Sequence, residues 1–487
     1  MTTHLLTYHD LRAVGIVRAF VAETGRYFGA DETEARQLEL AAEEAAAFIV
    51  DNFRPDPSEH FEIDAEPIEN GLRFAFRNKG LPVDEENLPL YDSRHPEDSM
   101  AGLSFFLLES LTDAVSLRNE GNKGWVLLFE KRFRRFKPLE AAPPVDASVL
   151  KACADEKLTV TLAEPSDAYD IVKLTYLTYR YSYVKSIFYY RKELEEAIRS
   201  GRVIAFVAKN AAGEVVVNSA YFRSPHCDAV AEAGMLMSRP EYRRNRALLR
   251  VSRMQVQYLK EGRGGLRAAY AKLVTAHTKS QQLVTAYRFV PTALKLSVHD
   301  QAEFVGIDTD EVRRESLLYA VLAPDGLDEA TVHLPPRHLP ITRELMAGFT
   351  RVRFDTATAE PARERSEFTV EKHEADRYAV VTIETMGRDW KEGLRRHLKE
   401  LFDDGVVTVN LHIPAHAPLP PDFDDATARL RLVYSGTVLK TTSRWELVYT
   451  RLQGQRFDFD AVMLSDPRAI ALREYMRGEL AALEEGL

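Results

Sequence analysis

The stretch LELAAEEAAAFIVDNF, residues 38–53, is the main part of a helix that the sequence predicts from Asp31 to about Asn52. Asp31 begins the helix, because an Asp followed three residues later by a Glu, here Glu34, is typical of a capping box. Apolar periodicity predicts the flanking elements as helices at Leu11–Phe28 and Ala101–Thr112 and strands at Phe61–Ala65, Leu72–Asn78 and Gly124–Phe133. The sequence thus predicts both helices and strands within residues 1–137.

The composition places the chain among globular proteins. Its 487 residues predict roughly three domains. The net charge of -10 and the pI of about 5.8 argue against a general binder of nucleic acids or anionic membranes. Cys153 and Cys227 have no metal-ligand spacing, and so few cysteines in a long chain indicate a reducing compartment. Because neither a long apolar run nor a secretory signal is visible, we expect a cytoplasmic protein.

The rest of the chain predicts two further α/β regions. Residues 138–157 contain three prolines and little periodicity, which predicts a linker. Residues 158–300 show strands around a long helix, predicted from Glu241 to Lys260, and residues 301–335 are expected to connect this domain to the next. Residues 336–487 repeat the mixed character. Their predicted strands and helices are Ala379–Glu384, Trp390–Phe402, Val406–Ile413, Asp424–Tyr434 and Leu439–Leu452, in the order strand, helix, strand, helix, strand.

Four N-terminal segments together resemble the GHKL (histidine kinase-like) ATPase domain of anti-sigma-factor serine kinases. They are LELAAEEAAAFIVDNF, RNKGLPVDEENLP (77–89), MAGLSFFLLESLTDAV (100–115) and NKGWVLLFEK (122–131). They occur in the order of the family's first ATP-site helix, adenine loop, phosphate turn and closing strand. The resemblance implies a two-layer α/β sandwich over residues 1–137 that binds ATP and Mg²⁺.

The same resemblance assigns the ATP-site positions. The family's catalytic Glu corresponds to Glu44, and its Mg²⁺-binding Asn, one turn later, corresponds to Phe48, which has no oxygen for a metal. The other matched positions belong to the adenine loop, the phosphate turn and the closing strand, and they are Asn78, Gly80, Gly102, Ser104 and Trp125. Three of them depart from the family pattern: Asn78 stands for an Asp, Ser104 for a Gly and Trp125 for a Thr. We therefore expect reduced or lost ATP chemistry.

Residues 158–300 resemble a GNAT acetyltransferase, on the segments AGMLMSRPEYRRNRALLRV (233–251) and AYAKLVTAHTKSQQLVTAYRF (269–289). The family's strand before the long helix ends in a splay, and the turn after it binds the pyrophosphate of acetyl-CoA at a helix N-terminus. This turn carries Arg243, and it places Arg244, Arg246 and Leu248 where small residues are expected. These side chains would crowd the phosphates, which predicts reduced or lost acetyl-CoA chemistry.

Candidate acids and bases of the GNAT-like domain are few. Val284 stands where the family has a Tyr that acts as the general acid. Tyr287 belongs to the Tyr-Gly-Phe-like ending, in which Arg288 replaces the Gly. His277 is the candidate general acid or base, because an imidazole titrates near neutral pH. A role in capping the preceding strand or the following helix is the favoured alternative for His277.

Residues 336–487 resemble a second, degenerate GNAT-like unit without an acceptable pyrophosphate turn. His412 and His416 flank Pro414 near Asp422 and Asp424, but a metal site needs defined ligand spacing. We therefore predict a loop with incidental histidines and no metal site.

The fold expected for the whole chain is a GHKL sandwich followed by tandem GNAT-like mixed α/β domains. The sequence favours a bacterial regulatory protein that binds another protein, such as a sigma factor or its antagonist, and a homodimer is a further option. The cofactors stay open, since the family implies ATP with Mg²⁺ and acetyl-CoA whereas the substitutions argue against both. The alternatives are an active GNAT N-acetyltransferase regulated by the N-terminal domain, and an ATP-dependent serine/threonine kinase acting as an anti-sigma factor.

Overall fold

The computed structural model describes residues 2–53, 60–81, 91, 102–138, 146–300 and 314–485. The chain divides into two compact units, Met1–Pro144 and Val145–Leu487.

The first unit is a two-layer sandwich of helices on an antiparallel sheet. Its elements are β1 (Thr3–Tyr8), α1 (Val14–Tyr27), α2 (Glu32–Phe53), β2 (His60–Ile68), β3 (Gly71–Asn78), α3 (Leu103–Leu111), β4 (Ala114–Asn119) and β5 (Trp125–Arg132). Among the described residues the sheet has five strands in the order β1-β2-β3-β5-β4. The predicted helices and strands of this unit are present, and β1 and β4 are edge strands that the sequence pattern did not reveal.

Helix α2 supplies much of the core of this unit. The predicted capping box is confirmed, since the backbone N–H of Asp31 donates to the Glu34 carboxylate at 2.8 Å and the N–H of Glu34 donates to the Asp31 carboxylate at 2.9 Å. Its buried face repeats at helical spacing and consists largely of small residues, which let α1 and α2 pack closely. These buried positions include Ala35, Leu38, Ala42, Ala45 and Ile49.

The second unit contains the remaining elements. Its helices are α4 (Ala147–Asp155), α5 (Ala168–Tyr179), α6 (Arg191–Arg199), α7 (Ala247–Lys260), α8 (Lys279–Ala286), α9 (Leu339–Leu345), α10 (Trp390–Asp403), α11 (Phe423–Arg429) and α12 (Pro467–Glu485). Its strands are β6 (Thr159–Leu162), β7 (Val203–Lys209), β8 (Val215–Ser224), β9 (Cys227–Ser238), β10 (Ala268–Val274), β11 (Val290–Asp300), β12 (Arg314–Leu322), β13 (Ala330–His333), β14 (Val352–Asp355), β15 (Glu367–His373), β16 (Tyr378–Thr385), β17 (Thr408–Pro414), β18 (Val433–Leu439) and β19 (Trp445–Leu452).

One long sheet runs through the second unit. Within the described residues it has twelve strands, in the order β15-β16-β17-β19-β18-β11-β12-β10-β9-β8-β7-β6. The order contains the same pattern twice, as β8-β9-β10-β12-β11 and as β15-β16-β17-β19-β18. In each copy the second and third strands pair in parallel, while the other pairs are antiparallel. We call these two copies the first and second repeats of a GNAT-like fold.

The two repeats join where β11 pairs with β18, through the residue pair Ala293 and Gly436. Gly436 has a φ of +99°, and a Cβ atom there would lie 2.2 Å from the carbonyl oxygen of Thr292. The close approach of the two strands therefore requires a glycine at this position.

Several expectations about the second unit were wrong. Residues 147–155, inside the expected linker, form α4, while residues 139–145 lie outside the described part of the chain. The expected connecting segment contributes β12, a strand inside the long sheet, although residues 301–313 are not described. The helix expected over Asp424–Tyr434 ends at Arg429, and residues 433–439 form β18 because their side chains are buried throughout. The boundaries of the predicted domains stay predictions.

The long helix of the first repeat also begins later than expected. Its regular part starts at Ala247, after a short 3-10 turn at Pro240–Tyr242. Across the described part of the chain, none of the helices has the combination of length and apolar character that spanning a membrane requires.

Candidate functional sites

Aromatic rings occupy the ATP-site positions of the first unit. Phe48 is buried on α2, and its ring centroid lies 6.1 Å from that of Phe53 and 5.9 Å from that of Phe105 on α3. Phe53 in turn lies 5.8 Å from Trp125, which begins β5 and is also buried. Phe53 thus lies beside both Phe48, at the family's metal-ligand position, and Trp125, at the position of its closing Thr. We call Phe48, Phe53, Phe105 and Trp125 the ring cluster.

The adenine-loop positions also approach the ring cluster. Asn78 is buried at the end of β3, and its Oδ1 accepts a hydrogen bond from the Gly80 N–H at 3.3 Å. Its Nδ2 has no hydrogen-bond partner among the described residues. A Cβ on Gly80 would lie 2.6 Å from the backbone oxygen of Phe53, and the Leu81 N–H donates to that same oxygen at 2.7 Å. Gly80 is therefore needed for the close approach to Phe53.

The remaining ATP-site positions lie on two helices. Glu44 is half-buried on α2, one turn before Phe48. Gly102 is the N-cap of α3 with a φ of +79°, and Ser104 is the second residue of that helix. The other residues expected in the adenine loop and before the phosphate turn, 82–90 and 92–101, lie outside the described residues. Phe53 and Phe105 were not singled out by the sequence, because a Phe in a helix is ordinarily a core residue.

The second unit contains the splay that the GNAT resemblance implies. The parallel pairing of β9 and β10 ends at Ala233 and Ala271, yet β9 continues to Ser238 and β10 to Val274. The two strands therefore separate at their carboxyl ends, which opens a gap in the middle of the long sheet.

A bulge shapes β9 beside this gap. On β8, Asn218 pairs with Met237 and Ala220 with Gly234, so β9 holds one extra residue between the two pairs. Met235 within the bulge has a φ of +61°, and its carbonyl oxygen accepts a hydrogen bond from Asn218 Nδ2 at 3.0 Å. Bulges of this kind redirect backbone groups and often accompany binding sites.

The turn before α7 carries an exposed arginine cluster. Arg243, Arg244 and Arg246 are exposed, Leu248 is half-buried, and Arg246 is the N-cap of α7. None of the four adopts a positive φ, so the backbone of the turn does not require the glycines that the family has. That the side chains crowd a bound pyrophosphate stays a prediction.

Asn245 ties this turn to α4. Its buried side chain donates from Nδ2 to the carbonyl oxygens of Cys153 at 2.8 Å, Ala154 at 3.2 Å and Glu156 at 3.0 Å. Its Oδ1 accepts from the Ala247 N–H at 2.9 Å, which caps the start of α7. The expected linker is thus anchored at the candidate acetyl-CoA turn.

The candidate acid and base positions lie in and around α8. His277 is half-buried in the loop between β10 and α8. Val284 packs against the core around α7, and Tyr287 donates from its hydroxyl to the Leu249 carbonyl oxygen at 3.3 Å. At the bulge itself the hydroxyl of Tyr183 lies 2.6 Å from Met235 Sδ. Tyr183 was not singled out, because it lies in a tyrosine-rich loop far away in sequence.

A charged cluster lies beside the splay. Glu232 on β9 forms ion pairs with Lys272 of β10 at 3.2 Å and with Lys185, in the loop between α5 and α6, at 3.1 Å. Burial would raise the pKa of Glu232, but the two ammonium groups outweigh burial and hold that pKa at about 2. The field of Glu232 in turn raises the pKa of Lys272. Glu232 and Lys272 therefore stay charged around neutral pH.

The prediction that His412 lies in a loop was wrong, because this residue belongs to a second buried cluster. This residue lies in β17 rather than in a loop, and it is buried. Its Nδ1 lies 2.8 Å from the Glu446 carboxylate, its Nε2 lies 2.9 Å from Lys295 Nζ, and Lys440 also contacts Glu446 at 2.9 Å. Because Glu446 accepts from the Nδ1–H, Nε2 is the acceptor for Lys295. His416 is exposed, and the described residues contain no cluster of three side chains suited to a metal ion.

Burial sets the protonation of this second cluster. It lowers the pKa of His412 to about 4, with the nearby Lys295 adding to the effect. Burial and the charge of Lys272 lower the pKa of Lys295 to about 7. Burial would raise the pKa of Glu446, but His412 and Lys440 outweigh burial and hold that pKa at about 2. A neutral imidazole thus bridges an amine and a carboxylate.

Comparisons with known proteins agree with this division of the chain. The family model of the histidine kinase-like ATPase domain matches residues 8–130. No curated protein matches the chain.

Solved acetyltransferase structures each match about a third of the chain. A putative acetyltransferase from Salmonella typhimurium, solved with its cofactor acetyl-CoA, is 14% identical over 35% of this chain and 95% of its own, with a TM-score of 0.28. Ribosomal-protein-S5-alanine acetyltransferase from Vibrio fischeri is 14% identical over 35% and 94%, with a TM-score of 0.27. Spermidine/spermine N-acetyltransferase from Vibrio cholerae is 15% identical over 34% and 95%, with a TM-score of 0.27. At these scores the GNAT-like fold rests on the strand order and the splay described above.

Proposed function

We propose that the chain is a regulatory protein whose N-terminal domain binds another protein and has lost ATP chemistry. The ring cluster carries this proposal. Phe48 and Trp125 stand at two positions that would have to contact Mg²⁺ and adenine, and both are buried against Phe53. A metal-bridged triphosphate needs oxygen ligands for the metal and groups that stabilise the negative charge of its phosphates. Aromatic rings offer neither.

Opening this site for a nucleotide would also be costly. Removing buried aromatic rings from their packing costs ~3–5 kcal/mol for each ring in typical cores. The family model still matches the domain, so the scaffold is kept while its ligand positions are filled. A scaffold with a filled pocket can retain its outer binding surface.

Exposed apolar side chains support the protein-binding part of the proposal. Leu6, Tyr8, Leu11 and Ile16 are each more than half exposed within the first elements of the domain. Leu6 and Tyr8 are two residues apart on β1, so they lie on the same face of that strand, and an apolar patch there would suit a protein interface. Capture of the same partner by the wild-type chain and by a Leu6→Ser/Ile16→Ser variant would contradict this use of the surface.

Calorimetric titration with ATP and Mg²⁺ tests the loss of ATP chemistry. We expect no Mg²⁺-dependent heat from the wild-type chain. A variant with Phe48→Asn, Asn78→Asp and Trp125→Thr should gain nucleotide binding, because it restores the family's residues at three positions. A submicromolar, Mg²⁺-dependent Kd for the wild-type chain would overturn the proposal.

A second candidate function is an acyl-CoA-dependent N-acyltransferase regulated by the N-terminal domain. The open gap between β9 and β10, with the bulge at Met235, favours it. If acetyl-CoA binds, a variant carrying Arg243→Glu, Arg244→Glu and Arg246→Glu should lose binding, whereas Arg253→Glu on the exposed face of α7 should not. Release of free thiol in the presence of amines would establish transfer, and the absence of acetyl-CoA binding at millimolar concentration would remove this candidate.

A further inference from the structure

Charged and aromatic side chains share one face of the long sheet. Residues paired across a ladder lie on the same face. Glu232 pairs with Tyr270, and Lys272 pairs with Tyr319. Lys295 lies two residues beyond the partner of Tyr319 on β11, so it lies on this face as well. We call these five residues the polar face.

Solvent reaches the polar face in the interior of the sheet. Strand β10 has neighbours on both sides, β9 and β12, yet 40% of the Lys272 side chain is exposed. The ion partners of Lys272 are more enclosed, since Glu232 is 11% exposed and Lys185 is 24% exposed. Lys272 is thus exposed although it lies on an inner strand and its ion partners are enclosed. This combination indicates a recess that opens onto the polar face.

Side chains of the polar face contact the second repeat. The Tyr319 hydroxyl donates to the carbonyl oxygen of Leu439 on β18 at 3.3 Å, and Lys295 Nζ lies 2.9 Å from Nε2 of His412 on β17. Strands of both repeats therefore border the recess.

The recess carries an excess of positive charge. A single oxygen of Glu232, Oε2, accepts from both Lys185 and Lys272. Two ammonium groups with three donors each thus share one carboxylate. An uncompensated charge in a partly enclosed position is unfavourable unless a counter-charge joins it. The tyrosine rings of the polar face stand beside this charge, with Tyr270 and Tyr319 stacked at 4.9 Å.

We propose that this recess binds a small organic carboxylate. Its anionic group joins Lys272 and Lys185, which balances the single excess charge, and its apolar part lies against the half-buried ring of Tyr270, which stacks on the buried Tyr319. A monoanion fits this balance better than phosphate does, since phosphate carries more charge and is best recognised by arginine forks or helix N-termini. Binding of a carboxylate needs neither ATP nor acetyl-CoA, so the proposal does not rest on either function proposed above, although the recess adjoins the splay that the second candidate function uses.

Binding of benzoate to the full chain tests the proposal. Benzylamine has the same ring with the opposite charge, and inorganic phosphate is an anion without a ring, so both are matched probes. Thermal shift and calorimetric titration should show binding of benzoate, no binding of benzylamine and weaker binding of phosphate. Phosphate binding as tight as that of benzoate, or binding of benzylamine, would overturn the assignment.

Two variants with opposite expected effects locate the site. Lys272→Gln should weaken benzoate binding at least tenfold. Glu232→Gln should tighten it, because the ligand's carboxylate then takes the place of the one removed. Lys260→Gln, at the exposed end of α7, should leave the affinity unchanged. Misfolding cannot tighten binding, so the Glu232→Gln result is informative even where Lys272→Gln fails to fold. Weaker benzoate binding by Glu232→Gln than by the wild type refutes the proposal. So does the absence of benzoate binding by both the wild type and Glu232→Gln.

Discussion

The Nζ atom of Lys295 lies 2.9 Å from Nε2 of His412, so a strand of the first repeat is hydrogen-bonded to a strand of the second inside the protein. Glu446 holds the other side of the imidazole at 2.8 Å. Buried polar groups are tolerated when they are paired in this way, and they favour one arrangement of the strands that they join. The contact lies near the pair Ala293 and Gly436, where the two repeats meet.

The protonation of Lys295 predicts how stability depends on pH. Its pKa is about 7 in the fold and 10.5 ordinarily, so between these values the unfolded chain binds more protons than the folded one. Stability therefore rises as the pH increases from 7 toward 10. Lys295→Met removes this group, and thermal melts from pH 7 to 9.5 should show a smaller rise than in the wild type. An unchanged rise would show that Lys295 stays charged throughout this pH range in the folded protein.

Truncation of Phe48 should destabilise the N-terminal domain. Phe48→Ala removes a buried ring from between Phe53 and Phe105, and substitutions of this kind cost ~3–5 kcal/mol. Leu40→Ala, on an exposed position of the same helix, is the matched control and should cost little. Hydrogen exchange of the α2 amides in the full chain measures both effects. Equal protection in the two variants would mean that Phe48 is not a core residue.

Loss of Asn245 should release α4. Its side chain donates to three carbonyl oxygens and accepts from the Ala247 N–H, so Asn245→Ala leaves several buried groups unpaired. Each such group costs about 1–3 kcal/mol. We expect faster proteolysis within residues 147–156 in Asn245→Ala than in the wild type, with Asn119→Ala at the exposed end of β4 as the control. Cleavage at the wild-type rate would show that α4 is held by other contacts.

The junction of the repeats should depend on Gly436. Gly436→Ala places a Cβ against the backbone of Thr292, whereas Gly405→Ala meets no atom within 4 Å. Both glycines have positive φ, +99° and +83°, so both substitutions carry the conformational cost of ~1–2 kcal/mol. The additional loss of stability in Gly436→Ala, read from denaturant midpoints, measures the clash. Similar midpoints for the two variants would imply that β11 and β18 separate without cost.

The sequence predicted local features well and distant contacts poorly. The helix at 38–53 and its capping box follow from spacing within a few residues, and so does the splay, once AGMLMSRPEYRRNRALLRV is matched to the family. The role of Phe53 depends on Trp125, and that of His412 on Lys295, over separations that no periodicity reports. Asn245 illustrates a third limit, since a polar residue in an arginine-rich turn gave no sign that it anchors a distant helix.

The shared edge between β11 and β18 has a consequence for biosynthesis. Strand β11 leaves the ribosome well before β18 has been made, so the first repeat initially folds with one side of β11 unpaired. An open strand edge is a template for association with other chains. The emerging polypeptide therefore exposes this edge until residue 439 has been synthesised, and products of premature termination upstream of β18 retain it as a place where chains can associate.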